Sequence, residues 1–231
     1  MLQTIANSIL HILYPQFCVK CNSSFINNKQ LMCNKCLQQM PLTNFETINN
    51  NDIDKLFWGK LKVAHAFALG YFNRAGIFQH LVHQLKYNGN KDAGLILGNL
   101  MGEAILNSVF YANINLIIPL PLHPAKLAKR GFNQAEIIAQ GIAQKCNIPM
   151  QNNIVLRTVN TSTQTAKTRG ERFENMRNVF LIKNAELLNN KHVLLVDDII
   201  TTGATLEACG AAILTAQNTT LYIGAAAFSV T

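Results

Sequence analysis

In its 231 residues the chain has no apolar run approaching the roughly 18 residues of a membrane span, so stable membrane insertion is not expected. Charged residues are scarce at 14% against 49% hydrophobic ones, a balance that fits a globular protein and excludes an intrinsically disordered one. The pattern G-x-x-x-x-G-K-[ST] is absent, which excludes a P-loop nucleotide hydrolase. The start, MLQTIANSILHILYPQF, lacks the basic residues and unbroken apolar stretch of a secretory leader, and a cytoplasmic location is the expectation. Leu2, Ile5, Ile9, Ile12 and Leu13 instead predict an amphipathic helix docked on its own domain, with a membrane-surface or partner helix as the alternative. Beyond Lys191 there is no Lys or Arg at all, only Asp197, Asp198 and Glu207.

The formal net charge of +8 therefore sits elsewhere: eleven Lys/Arg against four Asp/Glu lie between His123 and Lys191. Such a basic middle third suits nucleic acid or polyphosphate ligands, although charge alone fits a solubility device equally well.

Four of the six cysteines form Cys18-x-x-Cys21 and Cys33-x-x-Cys36, with eleven residues between the pairs. Two such knuckles supply four soft ligands in a tetrahedron, the geometry of a closed structural Zn²⁺ site. The intervening NSSFINNKQLM has too few apolar residues to hold a core without a metal. Two disulfides are the alternative, and they need an oxidising compartment. Cys146 and Cys209 fall in apolar helical patterns and read as packing residues. His80 and His83, three apart on a predicted helix, have no third ligand nearby and read as a surface or packed pair.

Pro41 and the polar run that follows predict a linker over about residues 41–54. The expected division is an N-terminal helix with the four-Cys zinc module at 1–45 and one α/β domain at 46–231. Strands are predicted at 63–72, 116–120, 179–182, 193–196 and 221–228, and helices at about 75–86, 92–109, 134–146 and 204–216. Strands alternating with helices of this length predict a mainly parallel sheet flanked by helices. Ligands bind such sheets beyond the C-terminal ends of the strands.

Residues 193–205, VLLVDDIITTGAT, put Asp197 and Asp198 at that position. Neighbouring residues of an extended strand point to opposite sides, so the pair is ill suited to gripping one small ion. As the chain turns, it can accept hydrogen bonds from two adjacent hydroxyls of a ribose. In the loop that follows, Gly203 allows unusual backbone angles. Successive N–H groups and the hydroxyls of Thr201, Thr202 and Thr205, with Ala204 opening a helix, can surround a phosphate. Diol acceptors beside a phosphate cradle describe a ribose 5-phosphate site. A ligand-free strand–turn–helix is the plainer reading.

The stretch resembles, at every position, the phosphoribosyl-pyrophosphate motif of type I phosphoribosyltransferases. That resemblance implies that the acid pair binds ribose hydroxyls, that residues 201–205 bind the 5-phosphate, and that Mg²⁺ arrives held mainly by the ligand. PLPLHPAKLAKRGFNQA, residues 119–135, resembles the position of the family's pyrophosphate loop, with Lys126, Lys129 and Arg130 as cations. QTAKTRGERFEN, residues 164–175, resembles the mobile loop that closes over such sites, which implies that Lys167, Arg169 or Arg172 stabilises the departing pyrophosphate. The Cys pairs, Leu85-Lys86-Tyr87-Asn88-Gly89, Arg130-Gly131-Phe132-Asn133-Gln134 and the final motif occur in the order seen in ComF-family proteins. Lys167 stands where leucine is expected in that family, and Ser162-Thr163 where prolines are common.

This resemblance implies a zinc-bearing, type I phosphoribosyltransferase-like competence protein. It would bind phosphoribosyl pyrophosphate and help handle incoming single-stranded DNA during natural transformation, with other competence proteins as further partners. An active transferase using a nitrogen nucleophile stays open beside it, as does a non-catalytic ligand-sensing regulator or adaptor.

Overall fold

The strands form where apolar residues run without interruption. In the computed structural model, which describes residues 17–18, 20–24, 32–158 and 179–230, six are found. They are β1 (His65–Tyr71), β2 (Leu116–Pro119), β3 (Val155–Arg157), β4 (Phe180–Ile182), β5 (His192–Ile200) and β6 (Thr220–Phe228). β1, β6, β5 and β2 lie in that order in one sheet, and every pairing is parallel. Almost all of their residues are buried, as expected of strands covered on both faces.

The helices are α1 (Asn34–Gln38), α2 (Asp52–Phe57), α3 (Ile77–Tyr87), α4 (Lys91–Leu106), α5 (Pro124–Arg130), α6 (Gln134–Cys146) and α7 (Ala204–Ile213). No helix among the described residues is long and apolar enough to cross a membrane. α4 packs on β6 and β1, and α6 on β5 and β2, so the pair covers one face of the sheet. The two helices cross in backbone contact. A Cβ on Gly98 would lie 2.1 Å from the Ile138 carbonyl oxygen, and one on Gly141 would lie 2.6 Å from that of Leu95.

Three predicted elements are corrected. The polar run 41–54 is not a linker but a cover for the edge strand β1. Thr43 N–H donates to the Leu69 carbonyl at 3.1 Å, and Tyr71 N–H donates to that of Pro41 at 2.9 Å. The side chain of Asn51 caps α2 and donates to the Ala66 carbonyl at 2.8 Å, while Asp54 accepts from Ala66 N–H at 2.7 Å and from His65 Nδ1 at 3.0 Å. Polarity here serves a buried strand edge, so composition mistook it for solvent exposure.

Residues 179–182 do not join the main sheet; β4 pairs antiparallel with β3 in a sheet of two strands. β5 also does not stop at Val196. It continues to Ile200 along β6, while β2 ends at Pro119 opposite Val196. Asp197 and Asp198 therefore lie inside the strand, on a stretch whose other edge pairs with no strand among the described residues.

Candidate functional site

The C-terminal part of β5 lines a cleft of 720 Å³, within the usual range of about 300–1,000 Å³ for small-molecule sites. Asp197, Asp198 and Thr205 line it together with Lys126, Lys129 and Arg130. Segments 67 residues and more apart are thus brought to one space, since Arg130 and Asp197 both line it.

Residues 201–203 form the loop between β5 and α7. Gly203 has φ 76°, a left-handed conformation, and a Cβ there would lie 3.1 Å from the Phe57 ring. Only glycine meets both conditions without strain. Thr201, Thr202, Gly203, Ala204 and Thr205 line a cup of 40 Å³ at the start of α7, and Asp197 also lines it. Ala204 N–H donates to Thr202 Oγ1 at 3.5 Å. The helix N-terminus gives the cup a positive end suited to an anion.

The two carboxylates differ. Asp198, 8% exposed, forms an ion pair with Lys86, with Nζ and Oδ2 2.7 Å apart. Asp197 Oδ1 accepts from Asp198 N–H at 2.7 Å. The Asp197 carboxyl is pushed up to about 8, first by burial and then by the Asp198 charge, with Lys86 and Arg157 opposing. A hydroxyl-rich ligand or an added cation would relieve that cost.

Lys86 was missed as a site residue, although a signal existed. Phe78, Val82 and Lys86 recur at spacing four on α3, so the lysine continues a stripe whose other members are buried. A lysine on such a stripe needs an acidic partner. Arg157 on β3 also lines the cleft and had no readable motif; its guanidinium lies 5.6 Å from the Phe180 ring centroid.

α5, unpredicted within the basic segment, begins with Pro124 after the cap residue His123 and ends at Gly131, φ 81°. It projects Lys126, Lys129 and Arg130 toward the cleft, where the Arg130 guanidinium donates to Gln134 Oε1. Asn133 caps α6 through Ala135 N–H at 3.1 Å and donates to the Leu120 carbonyl at 3.0 Å, which fixes the loop between β2 and α5. Lys167, Arg169 and Arg172 lie outside the described residues, as does the predicted N-terminal helix up to residue 16.

The ligand atoms of Cys18, Cys21, Cys33 and Cys36 all lie within 4.8 Å of one another. The 3.7 Å between Cys21 Sγ and Cys33 Sγ matches the about 3.8 Å edge of a tetrahedron with Zn–S bonds of about 2.3 Å. Cys33 N–H donates to Cys18 Sγ at 3.4 Å, a bond that favours a thiolate. Burial, then the other three thiols, push the Cys36 thiol up to about 12, so four ionised sulfurs need a cation among them. The cluster fits a four-coordinate metal such as zinc. It is the one group of three or more potential ligands among the described residues, and His80 and His83 are not part of it. Of the other cysteines, Cys209 is fully buried and Cys146 partly, with its Sγ 3.4 Å from the Gly102 carbonyl oxygen.

A sheet of this order, with an acid pair and an anion cup at the end of one strand, defines a phosphoribosyltransferase-like protein. The family model described as a phosphoribosyl transferase domain matches residues 127–227. Competence protein F of Haemophilus influenzae is 28% identical over 195 residues, covering 83% of this chain and 75% of that protein. Competence protein ComFC of Streptococcus pneumoniae is 26% identical over 192 residues, covering 82% and 77%. The DNA utilization protein YhgH of Escherichia coli K12 is 28% identical over 129 residues, and there the match spans 54% of this chain and 56% of the relative. These similarities support a ComF-like protein with a type I phosphoribosyltransferase-like fold.

Proposed function

We propose that the cleft binds phosphoribosyl pyrophosphate. Asp197 and Asp198 accept hydrogen bonds from two adjacent ribose hydroxyls, and residues 201–205 hold the 5-phosphate. Lys126, Lys129 and Arg130 face the pyrophosphate, with Lys167, Arg169 and Arg172 as further cations from the basic segment. The observation that carries this reading is the anion cup set directly beside the acid pair, with Asp197 lining both cup and cleft. Mg²⁺ would enter on the ligand's own oxygens, because Asp198 is already engaged by Lys86. Calorimetric titration tests the reading: wild type binds the ligand with Mg²⁺, and Asp197→Ala/Asp198→Ala does not.

The protein then works in natural transformation, in the cytoplasm, on or beside incoming single-stranded DNA, with other competence proteins as partners. The names of its relatives and the basic middle third support this reading. Single-strand binding should weaken steeply with salt, because phosphate contacts release counterions; no binding even at low salt would contradict it.

Catalysed transfer to a nitrogen nucleophile is the second reading. It is favoured by cations and acids lining one cleft, an arrangement able to stabilise leaving pyrophosphate. Pyrophosphate release, screened with nucleobases and amines, tests it; persistent inactivity leaves binding alone.

A further inference from the structure

A second groove, of 320 Å³, lies where the cysteine cluster, the cover of β1 and α4 come together. Its apolar lining is Leu37 and Met40 beside the cluster, Leu42 and Leu69 at the edge of the sheet, and Leu100 and Ala104 of α4. Leu97, Met101 and Ile105 of α4 are buried in the core, whereas Leu100 and Ala104, four residues apart on the same face, are only half-buried. Leu37 and Met40 are half-buried too, and Leu42 is 45% exposed. The rim is acidic, with Glu46 and Glu103. Glu103 and Lys145 stand 4.0 Å apart with side chains 60% and 40% exposed, so water still reaches that carboxylate.

The N-terminal end of the described chain arrives beside this groove. Phe17 bridges to Ser24, and Cys18 shares the four-sulfur cluster with Cys36, whose next residue is Leu37 of the groove wall. Residues 1–16, outside the described residues, are therefore tethered at the wall itself. Their sequence puts Leu2, Ile5, Ile9, Ile12 and Leu13 on one helical face and contains no Asp or Glu to oppose the acidic rim. A helix from Leu2 to Leu13 would be about 18 Å long. Pro15 disfavours helical backbone at Tyr14 and so favours a turn back toward the body. A tether this short presents the segment to the groove at an effective concentration on the order of millimolar, an advantage that no free partner has.

We propose that residues 1–16 dock as an amphipathic helix in this groove, laying Ile5, Ile9 and Ile12 against Leu37, Met40, Leu42, Leu100 and Ala104. Docked there, the helix ties the cysteine cluster to α4 and to the cover of β1. The proposal does not depend on what the cleft binds.

Photocrosslinking of the full chain tests it. p-Benzoylphenylalanine replaces Ile9; on irradiation it bonds to nearby C–H groups, those of methionine above all, and Met40 lines the groove. Mass spectrometry should map the crosslink to residues 37–42 or 100–104 of the same chain. The same probe at Asn7, on the opposite helical face, should not give it. Leu42→Glu and Ala104→Glu alter two different walls, and each should lose most of the crosslink from position 9 with an unchanged circular dichroism spectrum.

No crosslink from position 9, one that maps to another surface, or one that survives in both glutamate variants overturns the proposal. So does a covalent dimer whose crosslinks join differently isotope-labelled chains, which gives the groove to a second copy. Crosslinking to lipid when anionic vesicles are added, with loss of the bond to the groove, overturns it in favour of a membrane-surface helix.

Discussion

Lys86 and Asp198 hold each other at 2.7 Å with side chains only 20% and 12% exposed, so neither charge is easily left alone. Lys86→Ala strands a mostly buried carboxylate and should cost about 1–3 kcal/mol, read as a lowered urea midpoint at unchanged slope. Asp197 makes the opposite prediction. Its carboxyl is raised to about 8 in the folded protein, against about 3.9 in an unfolded chain. Between those values the folded state keeps a proton that the unfolded state has lost, so stability falls as pH rises through this window. Asp197→Asn removes that slope. Its stability relative to wild type should rise from about pH 4 to about pH 8 and then level off; parallel pH profiles would contradict the assignment. The sequence made the acid pair legible because apolar residues before it and small ones after it have few other uses. The buried stripe on α3 marks Lys86 as needing an acidic partner, but nothing local names Asp198 as that partner or places Arg157 in the cleft, because these residues come from distant segments.

At the level of elements, the site depends on how closely α4 and α6 approach. α6 begins at Gln134, which lines the cleft, and its position is set by the Gly98–Gly141 crossing. Gly98→Ala would drive a methyl group into the Ile138 carbonyl. It should cost about 1–3 kcal/mol, or several degrees of thermal midpoint, and shift the cap that holds the loop after β2. Gly203→Ala tests the cup: a left-handed φ and the nearby Phe57 ring predict a loss of about 1–2 kcal/mol together with weaker anion binding. α6 was legible to the residue, Gln134–Cys146, because a polar cap, an apolar stripe and a closing asparagine all agree. The cover over β1 was not legible. Asn51 and Asp54 look solvent-facing in composition, and only the strand edge beside them shows why they are buried.

For the whole molecule, the four cysteines and the cleft belong to one folded body. Cys18, Met32 and Cys36 are continuous with the core, and the Lys20 ammonium donates to the Ala75 carbonyl just before α3. Purified protein should carry one zinc per chain, and its displacement by a mercurial should release one equivalent and lower the thermal midpoint; a metal-free, equally stable protein would refute the site. The arrangement of charge also operates at this scale: the cations and the acids are separate in the chain, and folding sets them around one cleft. The most direct measurement of what that cleft is for is calorimetric titration with phosphoribosyl pyrophosphate and Mg²⁺ at pH 7, in buffers of different ionisation enthalpy. One equivalent should bind wild type with release of a proton from Asp197, and Asp197→Ala/Asp198→Ala should not bind. Absence of binding to wild type, or equal binding to the double variant, would contradict the account.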